Sequence, residues 1–186
     1  MQRVVAFNNI SLDGYFVDRH GSMSWAKDAA DDEFRAFTRE NARGAGTLVF
    51  GRLTYELMAS FWPTPEAAKL LPEVAKRMNE APKLVFSRTL ATAEWSRTTL
   101  IAGDPVASIR ARKRRDGPGL VILGSGTIIA QLAERGLIDE YQFVVNPIAL
   151  GAGRTAFAGI PQPLPLRLIR SRTFTNGMTL LCYQSR

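Results

Sequence analysis

The chain has 186 residues, of which 46% are hydrophobic and 22% charged. That is enough apolar chain for one ordinary core, and it excludes a disordered, collagen-like or disulfide-stapled protein. The net charge of +7 points first to a polyanionic partner, yet Arg110, Arg112, Lys113, Arg114 and Arg115 alone supply five of those seven charges. The basicity is therefore mainly one local feature.

A single cysteine, Cys182, excludes an internal disulfide and a multi-cysteine metal site. A single histidine, His20, excludes His-rich metal chemistry. No apolar run approaches the roughly 20 residues of a membrane span. The first seven residues enter a strand-like run with no signal-peptide pattern. The expectation is one domain over residues 1–186, cytoplasmic, with no metal, no membrane and no nucleic acid.

In chain order, residues 3–9 read as a buried strand, and Asp13-Gly14 as a turn. Residues 15–28 read as a loop holding His20, Gly21 and Trp25. A helix is predicted over 28–43. Acids lead it, Arg39 and Arg43 close it, Phe34 and Phe37 face the core, and Gly44 stops it. A strand at 47–50 ends on Gly51, and a short helix follows over 53–60. Ala67, Leu70, Leu71, Val74 and Met78 keep helical spacing across an interruption at Pro72. Strands are predicted at 83–86 and 98–102. Asp104 then caps a helix that carries Val106 and Ile109 and ends in the basic run.

A strand at 120–123 leads through Gly124-Ser125-Gly126-Thr127 into a helix with Ile128, Ile129 and Leu132. A strand at 140–145 stops at Asn146-Pro147. Beyond a Gly- and Pro-rich stretch come strands at 166–174 and 178–183. Asn176-Gly177 joins them as a hairpin. The Gly-rich loop around Arg154 could approach substrate or a second subunit, but turn structure is the preferred reading. Alternating β and α followed by a β tail predicts an α/β fold with a mostly parallel sheet and an antiparallel C-terminal edge.

Three strands end in small, polar or basic residues: Gly51-Arg52-Leu53-Thr54-Tyr55, Ser87-Arg88-Thr89 and Gly124-Ser125-Gly126-Thr127. In a parallel sheet these ends share one rim, where open α/β folds bind ligands. Glycines let a ligand approach the backbone, helix N-termini offer free N–H groups, and Arg52 and Arg88 can bond phosphate oxygens. The pattern suits a ligand with two separated phosphate regions. It is not the usual dinucleotide fingerprint, since Ile129 stands where the third glycine belongs, and there is no Gly-Lys-Ser/Thr phosphate loop.

Taken together, Ser-Leu-Asp-Gly-Tyr-Phe (11–16), Val-Phe-Gly-Arg-Leu-Thr-Tyr-Glu (49–56), Lys-Leu-Val-Phe-Ser-Arg (83–88), Leu-Gly-Ser-Gly-Thr (123–127), Asp-Glu-Tyr (139–141) and Asn-Pro-Ile-Ala-Leu-Gly-Ala-Gly (146–153) resemble the dihydrofolate reductase superfamily. Within it the chain looks most like stand-alone relatives of the reductase domain of bacterial bifunctional riboflavin-biosynthesis deaminase-reductases. The resemblance spans nearly the whole chain. It implies a central mixed β-sheet with flanking helices, an antiparallel C-terminal hairpin and bound NADPH.

By the same resemblance, Gly51, Arg52 and Thr54 line the cofactor phosphates, and Ser87 and Arg88 hold the adenosine 2′-phosphate. Gly124, Ser125, Gly126 and Thr127 hold the pyrophosphate and approach the nicotinamide ribose, and Asp13 and Gly14 lie at the loop over the nicotinamide. The implied activity is hydride transfer to a pterin-like, pyrimidine or phosphoribosylamino small molecule, with Asp13 as the candidate proton donor.

On the substrate side the candidates are Trp25 and Asp31. In dihydrofolate reductases an acid follows such a tryptophan by five residues. Here that position is Ala30, flanked by Asp28, Asp31 and Asp32, which also read as dipole partners of the helix start. The edge-strand residues around Phe174 are the candidate surface for a homodimer, a form relatives often take. His20 reads as solvated and Cys182 as packing. The basic run admits a nucleic-acid patch, an anion-recruiting patch or a solvated helix end. The last is preferred, because no aromatics interleave the bases. Against the reductase stand a non-catalytic nucleotide- or flavin-binding protein and a basic nucleic-acid binder.

Overall fold

The computed structural model describes residues 1–26, 31–44 and 46–185. Ten strands and six helices follow one another as β1 (Val4–Ser11), β2 (Tyr15–Asp18), α1 (Asp32–Ala42), β3 (Gly46–Gly51), α2 (Arg52–Phe61), α3 (Pro65–Leu70), α4 (Pro72–Glu80) and β4 (Lys83–Phe86). Then come β5 (Thr98–Ile101), α5 (Pro105–Lys113), β6 (Gly119–Leu123), α6 (Gly126–Glu134), β7 (Glu140–Asn146), β8 (Gly153–Thr155), β9 (Leu166–Thr173) and β10 (Thr179–Ser185).

Eight strands form one sheet in the order β5-β4-β3-β6-β1-β7-β10-β9. The pairs from β5 to β7 are parallel, and β10 pairs antiparallel with both β7 and β9. Only β10 therefore runs against the other seven. This is the mixed sheet with a C-terminal antiparallel pair that the sequence pattern predicts. The run of apolar residues in β4 is explained by its position: all four residues are buried, as in a parallel strand covered on both faces.

Helix ends follow local chemistry. Asp104 accepts from Val106 N at 3.0 Å and Ala107 N at 3.1 Å, which caps α5 as its sequence predicts. Pro72 does not kink a single helix. It starts α4 directly after α3, sitting at the first turn where its missing N–H costs nothing. Arg110, Arg112 and Lys113 occupy the last turn of α5, the helix-end placement preferred for the basic run. Lys113 turns inward, its Nζ 2.6 Å from Asp139 Oδ1 and 3.1 Å from Leu137 O.

Three elements differ from the sequence reading. The loop over 15–28 contains β2, which pairs with β8 in a separate two-stranded sheet. The helix predicted over 28–43 is described from Asp32, and Asp28 and Ala30 lie outside the described residues. The Phe174 side chain does not lie on the edge-strand surface. It is buried, with its ring 5.1 Å from Phe34 and 5.3 Å from Phe37, and it seals α1 against the sheet. Cys182 is fully buried in the same cluster, as expected.

Lys83 opens β4 with only 1% of its surface exposed. Its ammonium donates to Asn79 O, Ala81 O and Ser96 O at 3.1, 2.8 and 3.0 Å and lies 4.4 Å over the Trp95 ring. Burial, aided by Arg97 and Arg77, lowers its pKa from 10.5 to about 8. Below that value both folded and unfolded chains carry the proton. Between about 8 and 10.5 only the unfolded chain keeps it, so stability rises with pH across this window. Chemical denaturation of wild type and Lys83→Met at pH 7.5 and 9.5 checks this: the pH-driven gain at this site is expected in wild type and absent in the variant.

Candidate functional site

The carboxyl ends of β3, β4, β5 and β6 open onto one cavity of about 690 Å³. Its walls include Gly51, Arg52 and Thr54 from the β3–α2 junction, Ser87 and Arg88 after β4, and Ser125, Gly126 and Thr127 from the β6–α6 junction. Eight of the nine residues singled out as cofactor ligands thus share one space. The size suits a bound small molecule.

Gly124 is the ninth, and it does not line the wall. It adopts φ +57°, and a Cβ there would lie 2.8 Å from Thr54 Cγ2. Its role is to let the two strand-to-helix junctions close on each other. Ser125 completes that closure. Its Oγ accepts from Gly51 N at 2.9 Å and donates to Leu123 O at 3.0 Å, while its own N–H donates to Thr54 Oγ1 at 3.1 Å. These bonds hold Ser125 at φ +57°, in the left-handed region uncommon for a serine. Thr54 and Ser125 therefore act first as a brace between junctions.

The brace aims the starts of α2 and α6 at the cavity. The first N–H groups of a helix have no acceptor within it, and the helix dipole favours an anion there. Two guanidiniums add charge. Arg52 pairs with Glu56 one turn on, at 3.0 Å, with both side chains 42% exposed. Such an exposed pair is weak and opens readily for a better anion. Arg88 is exposed and has neither a hydrogen bond nor an ion pair among the described residues. Ser87 Oγ accepts from Thr89 N and Leu90 N at 3.2 and 2.9 Å, which fixes the turn that carries Arg88. Among the described residues the one carboxylate on the wall, Asp104, is occupied in capping α5.

The catalytic and substrate candidates fare differently. Asp13 accepts from Ser11 Oγ at 2.6 Å, from Gly151 N at 2.7 Å and from Leu150 N at 3.1 Å. These bonds, led by that of Ser11, lower its pKa to about 2, so it is an anion throughout the neutral range and a poor proton donor. Its visible work is to tie the β1–β2 turn to the segment before β8.

Asp31 lies outside the cavity wall and is 5% exposed. Its Oδ1 caps α1 through Glu33 N and Phe34 N at 2.8 and 3.1 Å. Its Oδ2 takes Thr175 Oγ1 and Asn176 N, both at 2.8 Å. Burial raises its pKa, but the four hydrogen bonds outweigh this and the net shift is downward. The carboxylate has a structural task that uses both oxygens. Trp25 is half-buried, donates to Ser22 O in its own loop at 3.2 Å, and also stands outside the cavity wall.

Two cavity residues are given no cofactor role by the sequence reading. Phe16 on β2 and Arg154 on β8 line the wall beside the start of α6, with the guanidinium 5.8 Å from the Phe16 ring centre. The loop around Arg154 is preferred as turn structure in the sequence, with an approach to substrate or to a second subunit as its alternative. Pairing between short segments more than 130 residues apart left no local periodicity to mark them as strands.

An α/β sheet of this order with a cleft at its strand ends is that of a dihydrofolate-reductase-like protein. The chain shares this fold with the dihydrofolate reductase of Enterococcus faecalis complexed with NADP(H) and RAB-propyl, at TM-score 0.65 and 15% identity, covering 99% of this chain and 96% of that one. The chain belongs to the RibD C-terminal domain family, whose model matches residues 2–180.

A Shewanella sp. PV-4 protein that carries a riboflavin-biosynthesis name matches at TM-score 0.72 and 23% identity, over 100% of this chain and 99% of that one. The Thermotoga maritima deaminase/5-amino-6-(5-phosphoribosylamino)uracil reductase matches at TM-score 0.65 and 14% identity, with this chain covering 57% of it. The uncharacterised protein YyaP of Bacillus subtilis is 24% identical over 98% of this chain and 94% of its own length. Among the described residues no helix is long and apolar enough to cross a membrane.

The assignment of Asp31 has a direct check. Asp31→Ala removes an N-cap and two ties to the C-terminal hairpin. It is expected to lower Tm by about 4–8 °C, corresponding to ~2 kcal/mol at roughly 2–4 °C per kcal/mol. A substrate role would instead leave Tm in place and raise KM.

Proposed function

We propose that this protein is an NADPH-dependent reductase acting on a pterin-like, pyrimidine or phosphoribosylamino small molecule. The observation that carries the reading is the convergence of the β3, β4 and β6 ends, the starts of α2 and α6, Arg52 and Arg88 on one cavity. This donor set fits a ligand with separated phosphates: it is cationic, and among the described residues the one carboxylate on its wall is already turned to a helix N-terminus.

In this reading Arg88, held out by the Ser87 turn, takes the adenosine 2′-phosphate, and the free N–H groups at the start of α6 take the pyrophosphate. Arg52 exchanges Glu56 for a phosphate oxygen. When bound, the cofactor supplies a hydride from its dihydronicotinamide ring. The chain's own residues supply position and exclusion of water: the Ser125 brace fixes the phosphate end, and Phe16 covers the cavity from the β2–β8 side. The proton that completes reduction comes from an ordered water, since Asp13 remains ionised and Asp104 is engaged in its cap.

Fluorescence titration tests this. Saturable NADPH binding in the micromolar range is expected, with NADH at least about tenfold weaker because it lacks the 2′-phosphate. Arg88→Gln is expected to erase most of that preference. Absence of NADPH binding overturns the proposal. NADPH oxidation followed against pterins, dihydrofolate and riboflavin precursors then identifies the substrate. Binding with no turnover on any of them favours the non-catalytic nucleotide-binding alternative.

A further inference from the structure

Arg154 is the third guanidinium on the cavity wall, and neither the strand-end pattern nor the family resemblance assigns it a task. It has no hydrogen bond or ion pair among the described residues, and its planar head lies over Phe16. An arginine held over an aromatic ring, with no ion pair among the described residues, is available to an incoming anion.

Its place is set by several independent contacts. Leu12 N donates to Ile148 O at 2.7 Å, and the Asp13 carboxylate gathers Leu150 N and Gly151 N. β8 then pairs with β2, with Arg154 beside Val17 and Thr155 beside Tyr15. The resulting strap lies directly on the first turn of α6. A Cβ at Gly126 would sit 2.5 Å from Thr155 O and 3.0 Å from Phe16 Cε1, and a Cβ at Gly153 would sit 2.0 Å from Val17 O. Two glycines thus permit backbone contact from β2 through β8 to α6, and the strap is fixed where the helix presents its unpaired N–H groups.

We infer that Arg154 clamps the cofactor pyrophosphate at the N-terminus of α6, reaching it from the strap packed on that turn, and that Asp13 is a positioning residue for it. This rests on the NADPH reading above and deepens it. The pyrophosphate would be held jointly by the backbone N–H groups of that turn and by a planar guanidinium. The separation of roles is specific: Arg88 addresses the 2′-phosphate, Arg154 only the pyrophosphate.

The test compares two probes, NADPH and adenosine 2′-monophosphate, which keeps the 2′-phosphate but lacks the pyrophosphate. Arg154→Gln is expected to weaken NADPH about tenfold or more, the loss of a charge-assisted bond, and to leave adenosine 2′-monophosphate affinity and Tm unchanged. Arg88→Gln is expected to weaken both probes. Arg154→Lys should recover part of the NADPH affinity, since it restores the charge without the planar fork. Asp13→Asn should weaken NADPH in the same direction as Arg154→Gln, with no effect on the smaller probe.

Unchanged NADPH affinity in Arg154→Gln overturns the inference, and so does equal weakening of both probes. If wild type fails to bind NADPH at all, the cofactor reading itself has failed, a result distinct from a silent Arg154 variant in a wild type that binds.

Discussion

The site depends on one hydroxyl. Ser125 Oγ stands between two adjacent strand-to-helix junctions, receiving a bond from Gly51 N and giving one to Leu123 O, while the Ser125 N–H reaches Thr54. Without these bonds nothing holds a serine in left-handed backbone at the start of α6. With them, two helices begin side by side and aim their unpaired N–H groups into one cavity. Gly124 is required behind this brace because a side chain there would collide with Thr54. The geometry of this part of the cavity wall follows from this small polar knot.

How much of this was legible in the sequence depended on how local the cause was. The parallel strands announced themselves by apolar runs ending in Gly, Ser and Arg, and their ends marked the cavity wall from the inside. Asp104 was legible as a cap because its partners lie two and three residues away. Asp31 shows the limit: the same capping chemistry is local, but its other oxygen binds Thr175 and Asn176, and nothing near residue 31 signals that. Phe16 and Arg154 show a related limit: the loop around Arg154 is preferred as turn structure, and neither residue is assigned to the cofactor. Their strands are four and three residues long, respectively, and only pairing across the chain makes them strands at all. Phe174 read as an edge residue because it follows an exposed strand. Its burial comes from α1, which arrives from the opposite end of the sequence.

The charge balance resolves into separate populations once positions are known. Lys113 is committed to Asp139, and its neighbours crowd the last turn of α5, where positive charge suits the dipole. Lys83 is buried among carbonyls and works for the fold. Among the described residues the cations that face the cavity are Arg52, Arg88 and Arg154, each brought there by a different strand end or strap. A net charge counts all of these alike, whereas function depends on which of them face a common space.

The double duty of Asp31 also bears on how the chain acquires its shape during synthesis. The carboxylate that caps α1 is fixed by residues 144 and 145 positions further on. The aromatic seal over α1 likewise waits for Phe174. A nascent chain still attached to the ribosome can form the early βα units, but α1 has no finished seat until the last hairpin emerges. The sheet is completed at its β10–β9 side. Docking of the C-terminal strands and settling of a helix near the N-terminus are therefore coupled through contacts that are long-range in sequence.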